Sequence, residues 1–356
     1  MPDTSDAHTA HRGDDSREAR TSGALPAPAS CSIDLDAEGR SIGTFSVPWS
    51  RDESGWGNVL TPIAVIANGE GPTVLLTGGN HGDEFEGPVA LRRLLHEVEV
   101  ERVSGRIIVV PGLNQAALRV GRRLSPVDGG NLNRSFPGNP VGTPTQRIAD
   151  FVFRELVKRA DLVLDIHSGG QSMTFEPMIA THVLADERRT AETAEYIKVF
   201  GTPLAVLIDE PDPNGLLDSA VEDLGKVFLT TEIQGGRAIS ARTVDITHRG
   251  VVNTLKQAGV LAGEPEFDAP PTFVRMVDDG TSVATIGGLF EPLADPGDEV
   301  TAGDPVARIH PIDDLAAPPS VLRSGVNGIV IMRHNPGLIE SGDPAITVAV
   351  HEAAPW

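Results

Sequence analysis

The sequence predicts an α/β fold, with a mainly parallel mixed sheet flanked by helices and a small all-β domain after it. Up to residue 262, short apolar runs rich in β-branched residues alternate with helical stretches, which is typical of an α/β domain. The runs are apolar on both faces, as expected of strands covered by helices on each side. From residue 263 onward, Gly, Pro and Asp turns separate short strand-like runs without helical periodicity. We therefore expect a tail at 1–30, an α/β catalytic domain at 31–262 and a β-rich domain at 263–356.

The individual elements follow from the same patterns. Strands are predicted at residues 63–66, 74–77, 106–110, 162–166, 204–208 and 227–231. Helices are predicted at residues 87–98, 144–159, 190–200 and 239–257. The second of these helices has the clearest start, because Thr143 can cap it and Pro144 suits its first turn.

The first thirty residues differ from the rest of the chain. They are rich in Asp, Ser, Thr, Arg, Ala and Pro and contain almost no large apolar side chains. Burial of so little apolar surface cannot offset the entropy lost on ordering the chain. We therefore expect residues 1–30 to be disordered.

The charge balance excludes several classes of partner. Among 356 residues, Asp and Glu number 50 against 29 Lys and Arg, which gives a net charge of −21. Such a charge repels nucleic acid and anionic membrane surfaces. A single cysteine, Cys31, suits a reducing compartment, and we find neither an apolar span nor a signal core. We expect a cytoplasmic protein with no nucleic-acid or membrane partner, and the sequence leaves a homo-oligomer open.

Potential metal ligands follow two of the predicted strands. His81 and Glu84 lie three residues apart in a glycine-rich segment, and His167 follows a second strand directly, with Asp165 available to orient an imidazole. Because open α/β sheets bind ligands at the carboxyl ends of their strands, these side chains are expected at one edge. Two His and one Glu can hold zinc and leave a fourth position open. Separately, the fragments are also compatible with a polar turn that caps a helix and a strand-end His.

A lone carboxylate, Glu232, follows a third strand. A Glu beside a metal site can act as a general base, although a solvated strand-end Glu is the alternative. No Gly-x-Ser-x-Gly segment accompanies the histidines, and Cys31 lies at the edge of the tail, so direct attack by water is expected. The remaining histidines of the two domains offer no second ligand nearby, and we expect surface or loop positions for His182, His248, His310, His334 and His351.

The segment 128–138 is too rich in Gly, Asn and Pro for a helix or a strand. In a shaped loop, Asn133 and Arg134 could grip a carboxylate, with the guanidinium bidentate and the amide adding a donor. Upstream, Arg122 and Arg123 offer a cation that could polarise a carbonyl group. The alternative is a surface loop with solvated arginines.

Four segments together resemble a known family. Residues 79–84, 131–138, 165–168 and 231–232 stand in the order seen in the succinylglutamate desuccinylase/aspartoacylase family, a branch of the zinc carboxypeptidase-like hydrolases. The resemblance covers roughly residues 45–350. It implies a zinc carboxypeptidase-like fold and a hydrolase that cleaves the amide bond of a small N-acyl amino acid.

The same resemblance assigns roles to residues of this chain. It implies that one Zn²⁺ per subunit is bound by His81, Glu84 and His167. It implies that Glu232 is the general base and later the proton donor. It further implies that the substrate carboxylate and the scissile carbonyl are bound by a second set of side chains: Asn133, Arg134 and Arg123, with Arg122 still open in place of Arg123.

Within the family, the chain resembles most the branch that removes an acetyl group from a diamino acid during the breakdown of ectoine. Such a substrate carries a free amine, for which Asp209, Glu210 and Asp212 are candidate partners. The alternatives are a deacylase of the acetylaspartate or succinylglutamate type, a zinc carboxypeptidase, or a metal-bearing scaffold protein. The last alternative predicts no hydrolysis of any N-acyl amino acid.

The β-rich domain contains two similar sequence segments, at residues 293–300 and 337–343, and each includes a Gly-Asp turn. They resemble the barrel-sandwich of lipoyl and biotinyl domains. Those domains carry a modified lysine at a hairpin tip, whereas the corresponding residues 331–333 include no lysine. A carrier role is therefore disfavoured, and we expect a structural or gating role.

Overall fold

A computed structural model describes residues 29–182, 186–208 and 214–354. The predicted disordered tail, apart from its last two residues, lies outside the described residues. So do the three acidic candidates for amine recognition, Asp209, Glu210 and Asp212. Within the described ranges, no helix has both the length and the apolar character needed to cross a membrane.

Strands and helices alternate through the first two thirds of the chain, and strands dominate the last third. The strands are β1 (Ser30–Cys31), β2 (Gly39–Pro48), β3 (Asn58–Asn68), β4 (Thr73–Gly78), β5 (Gly105–Val110), β6 (Leu162–His167), β7 (Met173–Phe175), β8 (Met178–His182), β9 (Leu204–Ile208), β10 (Val227–Glu232), β11 (Thr272–Arg275), β12 (Thr281–Val283), β13 (Gly288–Pro292), β14 (Glu299–Val300), β15 (Pro305–His310), β16 (Ser320–Arg323), β17 (Gly328–His334), β18 (Leu338–Ile339) and β19 (Pro344–His351). The α-helices are α1 (Glu86–Glu97), α2 (Gln115–Val120), α3 (Pro144–Phe151), α4 (Glu187–Phe200), α5 (Leu217–Glu222) and α6 (Ala241–Gln257).

The predicted strands are confirmed as β3, β4, β5, β6, β9 and β10, and the predicted helices as α1, α3, α4 and α6. The start of α3 is also confirmed, because the Thr143 hydroxyl accepts a hydrogen bond from the Gln146 backbone N–H and Pro144 is the first helical residue. A π-helical stretch, Val152–Val157, continues this helix. Before residue 263, the sequence reading missed β1, β2, β7, β8, α2 and α5.

The sheet is mixed, with parallel pairs at its centre. One large sheet has the strand order β1-β2-β3-β5-β4-β6-β10-β8-β9-β11-β19-β17-β14. The neighbours β5, β4, β6 and β10 run parallel to one another. Antiparallel pairs join β3 to β5 on one side and β8 to β10 on the other. The α/β class is therefore confirmed, and parallel pairing occurs both in the central strands and among β8, β9 and β11.

Both faces of the central strands are buried. Leu75 and Val163 pack into an apolar cluster with α3, whereas Leu76 and Leu164 pack into a second cluster with α1 and α6. Successive residues of a strand point to opposite faces, so a strand buried on both sides reads as a continuous apolar run. This packing explains the pattern from which the strands were predicted.

The C-terminal part adds a second, smaller sheet, which is antiparallel in the order β16-β15-β13-β18. A separate apolar cluster lies between it and β17 and β19. Two pairings extend the large sheet across residue 262, because β11 runs parallel to β9 and β7 pairs with β17. The division of the chain at this residue stays a prediction.

Candidate active site

The candidate site lies at the carboxyl edge of the central parallel strands. His167 is the last residue of β6 and Glu232 the last residue of β10, and the two lie opposite each other in the strand register. The adjacent strand β4 ends at Gly78 and leads into the segment with His81 and Glu84. Three strand ends therefore deliver these side chains to one edge of the sheet, as predicted from the sequence.

The segment that carries His81 and Glu84 is fixed against the start of α2 and the turn that follows it. The Gly82 backbone N–H donates to the Arg122 carbonyl oxygen at 3.0 Å. A Cβ atom at residue 82 would overlap the backbone carbonyl of Ala117. Glycine is therefore required between the two side chains, because the backbones of the loop and the helix approach too closely for any other residue.

His81, Glu84 and His167 converge. Their potential ligand atoms all lie within 4.8 Å of one another, and all three residues are buried. The two oxygens of Glu84 lie 2.8 Å from Nδ1 of His81 and 2.9 Å from Nδ1 of His167. Lone pairs on nitrogen and carboxylate oxygen repel at such distances unless a proton or a cation lies between them. The donor set and its geometry therefore fit a divalent ion such as zinc.

The other nitrogen of each imidazole is held by a hydrogen bond. Nε2 of His167 lies 2.8 Å from Oδ2 of Asp165, and Nε2 of His81 lies 3.2 Å from Oδ1 of Asn131. Because these oxygens accept, each Nε2 carries the proton and each Nδ1 faces Glu84. A carboxylate or amide behind a ligating histidine fixes the tautomer in this way.

The buried charges shift the pKa values of the cluster formed by His81, Glu84 and His167. Burial opposes ionisation of Glu84, but the two imidazoles outweigh it and hold its pKa well below the usual range. Burial also opposes a charge on His167, yet the carboxylates of Asp165 and Glu84 raise its pKa well above the usual value. For His81, burial prevails and lowers the pKa. Glu84 is therefore ionised at neutral pH, as a metal ligand must be.

Glu232 has the opposite shift. Its Oε2 atom is buried and has no hydrogen-bond partner among the described residues. Burial, followed by the negative charge of Glu84, raises its pKa to about 8. A cation held by the three ligands would counteract both effects, because positive charge favours the ionised carboxylate. In the metal-free chain Glu232 is therefore held in its protonated form near neutral pH.

Of the two adjacent arginines, only one directs its guanidinium at the cluster. Nη1 of Arg123 lies 3.7 Å from Oε1 of Glu84 and 3.4 Å from Nδ1 of His81. The contact of Arg122 with this segment is through its backbone carbonyl, which accepts from Gly82. The geometry thus favours Arg123 as a donor to a group bound at the cluster.

Asn133 and Arg134 lie in a short 3-10 turn, Leu132–Arg134. Oδ1 of Asn133 accepts from Nδ2 of Asn80 at 3.2 Å and from the Leu217 backbone N–H at 3.3 Å, which leaves its amide nitrogen as a donor. Nδ2 of Asn80 also donates to Asp165 at 2.9 Å. This bond connects the Asn133 turn to the metal-type cluster. Arg134 is exposed and makes no ion pair with any acidic residue in the described part of the chain.

Sequence reasoning missed Asn80 and Asn131, which lie in Gly- and Asn-rich loops where a side-chain contact has no local signal. It was also wrong about two other histidines. His248 is buried and lies 2.9 Å from Glu97, and buried His334 donates to the Leu338 carbonyl oxygen. Neither belongs to the group of His81, Glu84 and His167 at the strand edge.

Comparison with known proteins gives a consistent result. Residues 70–258 match the Succinylglutamate desuccinylase/Aspartoacylase catalytic domain. Over 326 residues, the chain is 42% identical to an N-alpha-acetyl-L-2,4-diaminobutyric acid deacetylase from Halomonas elongata, which covers 91% of this chain and 95% of that protein.

Solved structures agree with this match. The product-bound ectoine utilization protein EutE (DoeB) from Ruegeria pomeroyi has a TM-score of 0.88 and 47% identity, and the match covers 91% of this chain and 98% of that one. An aspartoacylase family protein from Mesorhizobium loti has a TM-score of 0.82 and 32% identity over 92% of this chain and 99% of its own.

Proposed function

Because the chain belongs to the succinylglutamate desuccinylase/aspartoacylase family, we propose that it is a zinc-dependent deacylase of N-acyl amino acids. Membership of this family makes it an enzyme that hydrolyses the amide bond of such compounds. The observation that carries the zinc dependence is the convergence of His81, Glu84 and His167 on one point. Zinc held there would act as a Lewis acid, which lowers the pKa of water and polarises a carbonyl group.

The chain's own groups perform the proton transfers. Glu232 takes a proton from the attacking water and later returns it to the nitrogen of the leaving amine. Its place at the end of β10, opposite His167, supports this role, and a cation held by the three ligands would lower its pKa and so leave the carboxylate free to accept a proton. Arg123 donates to the carbonyl oxygen as negative charge develops there.

Asn133 and Arg134 bind the carboxylate of the amino-acid substrate. Arg134 is a guanidinium without a described acidic partner, and the amide nitrogen of Asn133 is a second donor beside it. A carboxylate held by these groups fixes the substrate through its amino-acid end. Hydrogen bonds link Asn133 through Asn80 to Asp165. This link fixes the distance from the carboxylate-binding groups to the cluster, so that the acyl carbonyl of the bound substrate lies at the cluster.

Nα-acetyl-L-2,4-diaminobutyrate is the substrate we propose, with acetate and diaminobutyrate as products and ectoine degradation as the pathway. The proposal is supported by the likeness to the deacetylase of Halomonas elongata and to the ectoine utilization protein of Ruegeria pomeroyi. Deacylation of acetylaspartate or succinylglutamate, or a zinc carboxypeptidase activity, are the alternatives within the same chemistry.

A release assay tests these proposals. Purified protein is incubated with both monoacetyl isomers of diaminobutyrate, acetylaspartate, succinylglutamate and a short peptide, with zinc or with a chelator. We expect the largest kcat/KM for the Nα-acetyl isomer and loss of turnover in the chelator. Equal turnover after removal of the metal would contradict the zinc dependence. A larger kcat/KM for another compound would show that the proposed substrate is wrong.

A matched variant tests the base. Glu232→Gln keeps the size of the side chain and removes its ability to accept a proton. We expect it to retain zinc while kcat falls by about 10²–10⁴-fold, the usual contribution of a general base. A near-normal kcat in this variant would remove Glu232 from the mechanism.

We further propose that residues 31–262 form the catalytic domain and that residues 263–356 form a separate barrel-sandwich-like unit. The small antiparallel sheet and its own apolar cluster support this division. Expression of residues 263–356 alone tests the proposal, because a separate unit should unfold cooperatively. Absence of a folded state would argue against the boundary.

A further inference from the structure

The segment 168–175 connects the cluster residue His167 to the end of β7. Its first backbone N–H, on Ser168, lies 3.3 Å from Oε2 of Glu84. Further along, the Gln171 backbone N–H donates to Asp83 at 2.8 Å. Asp83 itself lies between His81 and Glu84 in the chain. The 168–175 segment is therefore in direct contact with the loop that carries the other two cluster residues.

The same segment also holds the chain that follows Glu232. The Gly236 backbone N–H donates to the Met173 carbonyl oxygen at 2.9 Å, and the Arg237 N–H donates to the Gly170 carbonyl oxygen at 2.7 Å. Residues 235–237 all have positive φ angles, and Arg237, at 55°, is the sole non-glycine residue of the described ranges with such an angle. Backbone held in this region must be fixed by its surroundings. The position of the 168–175 segment thus affects both His167 and Glu232.

The far side of the segment is held by Asn335, some 160 residues later in the chain. Asn335 follows β17, which pairs with β7 in the register Met332↔Phe175. Its backbone N–H donates to the Ser172 carbonyl oxygen at 2.9 Å, and its Nδ2 donates to the Gln171 carbonyl oxygen at 3.1 Å. Its Oδ1 accepts from the Thr174 hydroxyl at 3.1 Å. One side chain therefore acts as donor and acceptor to the same segment.

We propose that Asn335 is a positioning residue for the deacylation. It contributes no group to the cluster, but through the 168–175 segment it holds the stretches of chain that follow His167 and Glu232. The β-rich part of the chain thereby takes part in catalysis by holding the catalytic edge of the large sheet. The inference rests on the proposed function, because it assumes that the reaction uses these two side chains.

Asn335→Ala tests the inference, with Asn327→Ala as a matched control. Asn327 also accepts a backbone hydrogen bond within the β-rich part, from Ala302, but it is exposed and has no contact with the 168–175 segment. Displacement of catalytic groups by about 1 Å can cost on the order of 100-fold in rate. We expect kcat of Asn335→Ala to fall by about 10- to 100-fold with KM within about threefold and zinc content unchanged. The control should keep its kcat.

A second pair of variants separates positioning from loss of fold. Thr174→Val removes the hydroxyl partner of Asn335, whereas Thr174→Ser keeps it, so only the first should lower kcat. Combined with Asn335→Ala, Thr174→Val should add little, because both changes remove the same contact. An unchanged kcat in Asn335→Ala, or full additivity in the double variant, would overturn the inference. Failure of the unmodified enzyme on all substrates would instead refute the proposed function.

Discussion

Oδ2 of Asp165 lies 2.8 Å from Nε2 of His167, and the two residues stand two positions apart on the same strand, β6. Alternate residues of a strand project from the same face, so β6 itself sets this contact. Asp165 is in turn held by the Thr77 hydroxyl at 2.6 Å and by Asn80 at 2.9 Å. Burial would raise the pKa of Asp165, but the imidazole and these donors lower it. The carboxylate therefore stays charged behind the histidine.

Asp165→Asn should weaken zinc binding by about 10- to 100-fold, because groups behind ligating histidines contribute that much to metal affinity. Competition with a chromophoric chelator measures the change. Asp161→Asn is the control, since Asp161 precedes the same strand at its other end and accepts from the Thr73 backbone N–H. Equal zinc affinity in the two variants would show that Asp165 has no such role.

His81→Ala should abolish stoichiometric zinc binding, since two remaining side chains cannot complete a three-ligand site. Elemental analysis after dialysis measures the metal content. His248→Ala provides the comparison, because it also removes a buried imidazole but lies on α6. Full zinc content in the His81 variant would contradict its assignment as a ligand.

Glu232 should make the metal-free protein less stable as pH rises. Its pKa is about 8 in the folded chain and about 4.3 when unfolded. Below the lower value both states hold the proton. Between the two values the unfolded state releases it first, so up to about 1.4 kcal/mol of stability is lost per pH unit.

Glu232→Gln removes this titration and leaves every other group in place. In the metal-free state, the variant should gain in Tm over the unmodified protein as pH rises from about 5 to about 8. Thermal unfolding at several pH values measures the difference. A difference that stays constant over this range would show that the carboxyl group is not held in its protonated form.

Arg134→Ala should raise KM about 10- to 100-fold, because a hydrogen-bonded carboxylate contributes roughly 1.5–3 kcal/mol to binding. The free energy of unfolding should stay the same, since the side chain is exposed. Steady-state kinetics measure the effect, and Arg92→Ala, an exposed arginine on α1, is the control. An unchanged KM would argue against carboxylate recognition by Arg134.

Gly82→Ala should destabilise the fold by about 1–3 kcal/mol, because its Cβ would overlap the Ala117 backbone. Displacement of the loop should also lower zinc content, as His81 and Glu84 flank the substitution. Chemical denaturation and metal analysis test both effects. Gly55→Ala has open space around the new methyl group and should behave as the unmodified protein.

Much of the site could be predicted because its residues stand at strand ends. His167 and Glu232 directly follow apolar runs, and parallel strands bring their carboxyl ends to one edge. The residues that hold them were harder to find. Asn131 reaches His81 from a loop 50 residues away, and nothing in its local sequence indicates that contact.

The strands missed by the sequence reading have a physical explanation. The strand β2 pairs along its whole length with β3 but is buried on only part of its surface, so it lacks a continuous apolar run. The strand β8 runs against β10 and reverses the expected parallel order. The pairing of β7 with β17 joins segments far apart in the chain, and such contacts carry no local signal.

The facing positions of Glu232 and His167 on β10 and β6 have a consequence for how this enzyme acquires its activity. A slip of one residue between the two strands would turn every side chain of one strand to the opposite face. A sheet with this misalignment should therefore have no activity, and not merely a reduced one. During refolding, turnover should return all at once, at the moment when the central strands lock into their native alignment.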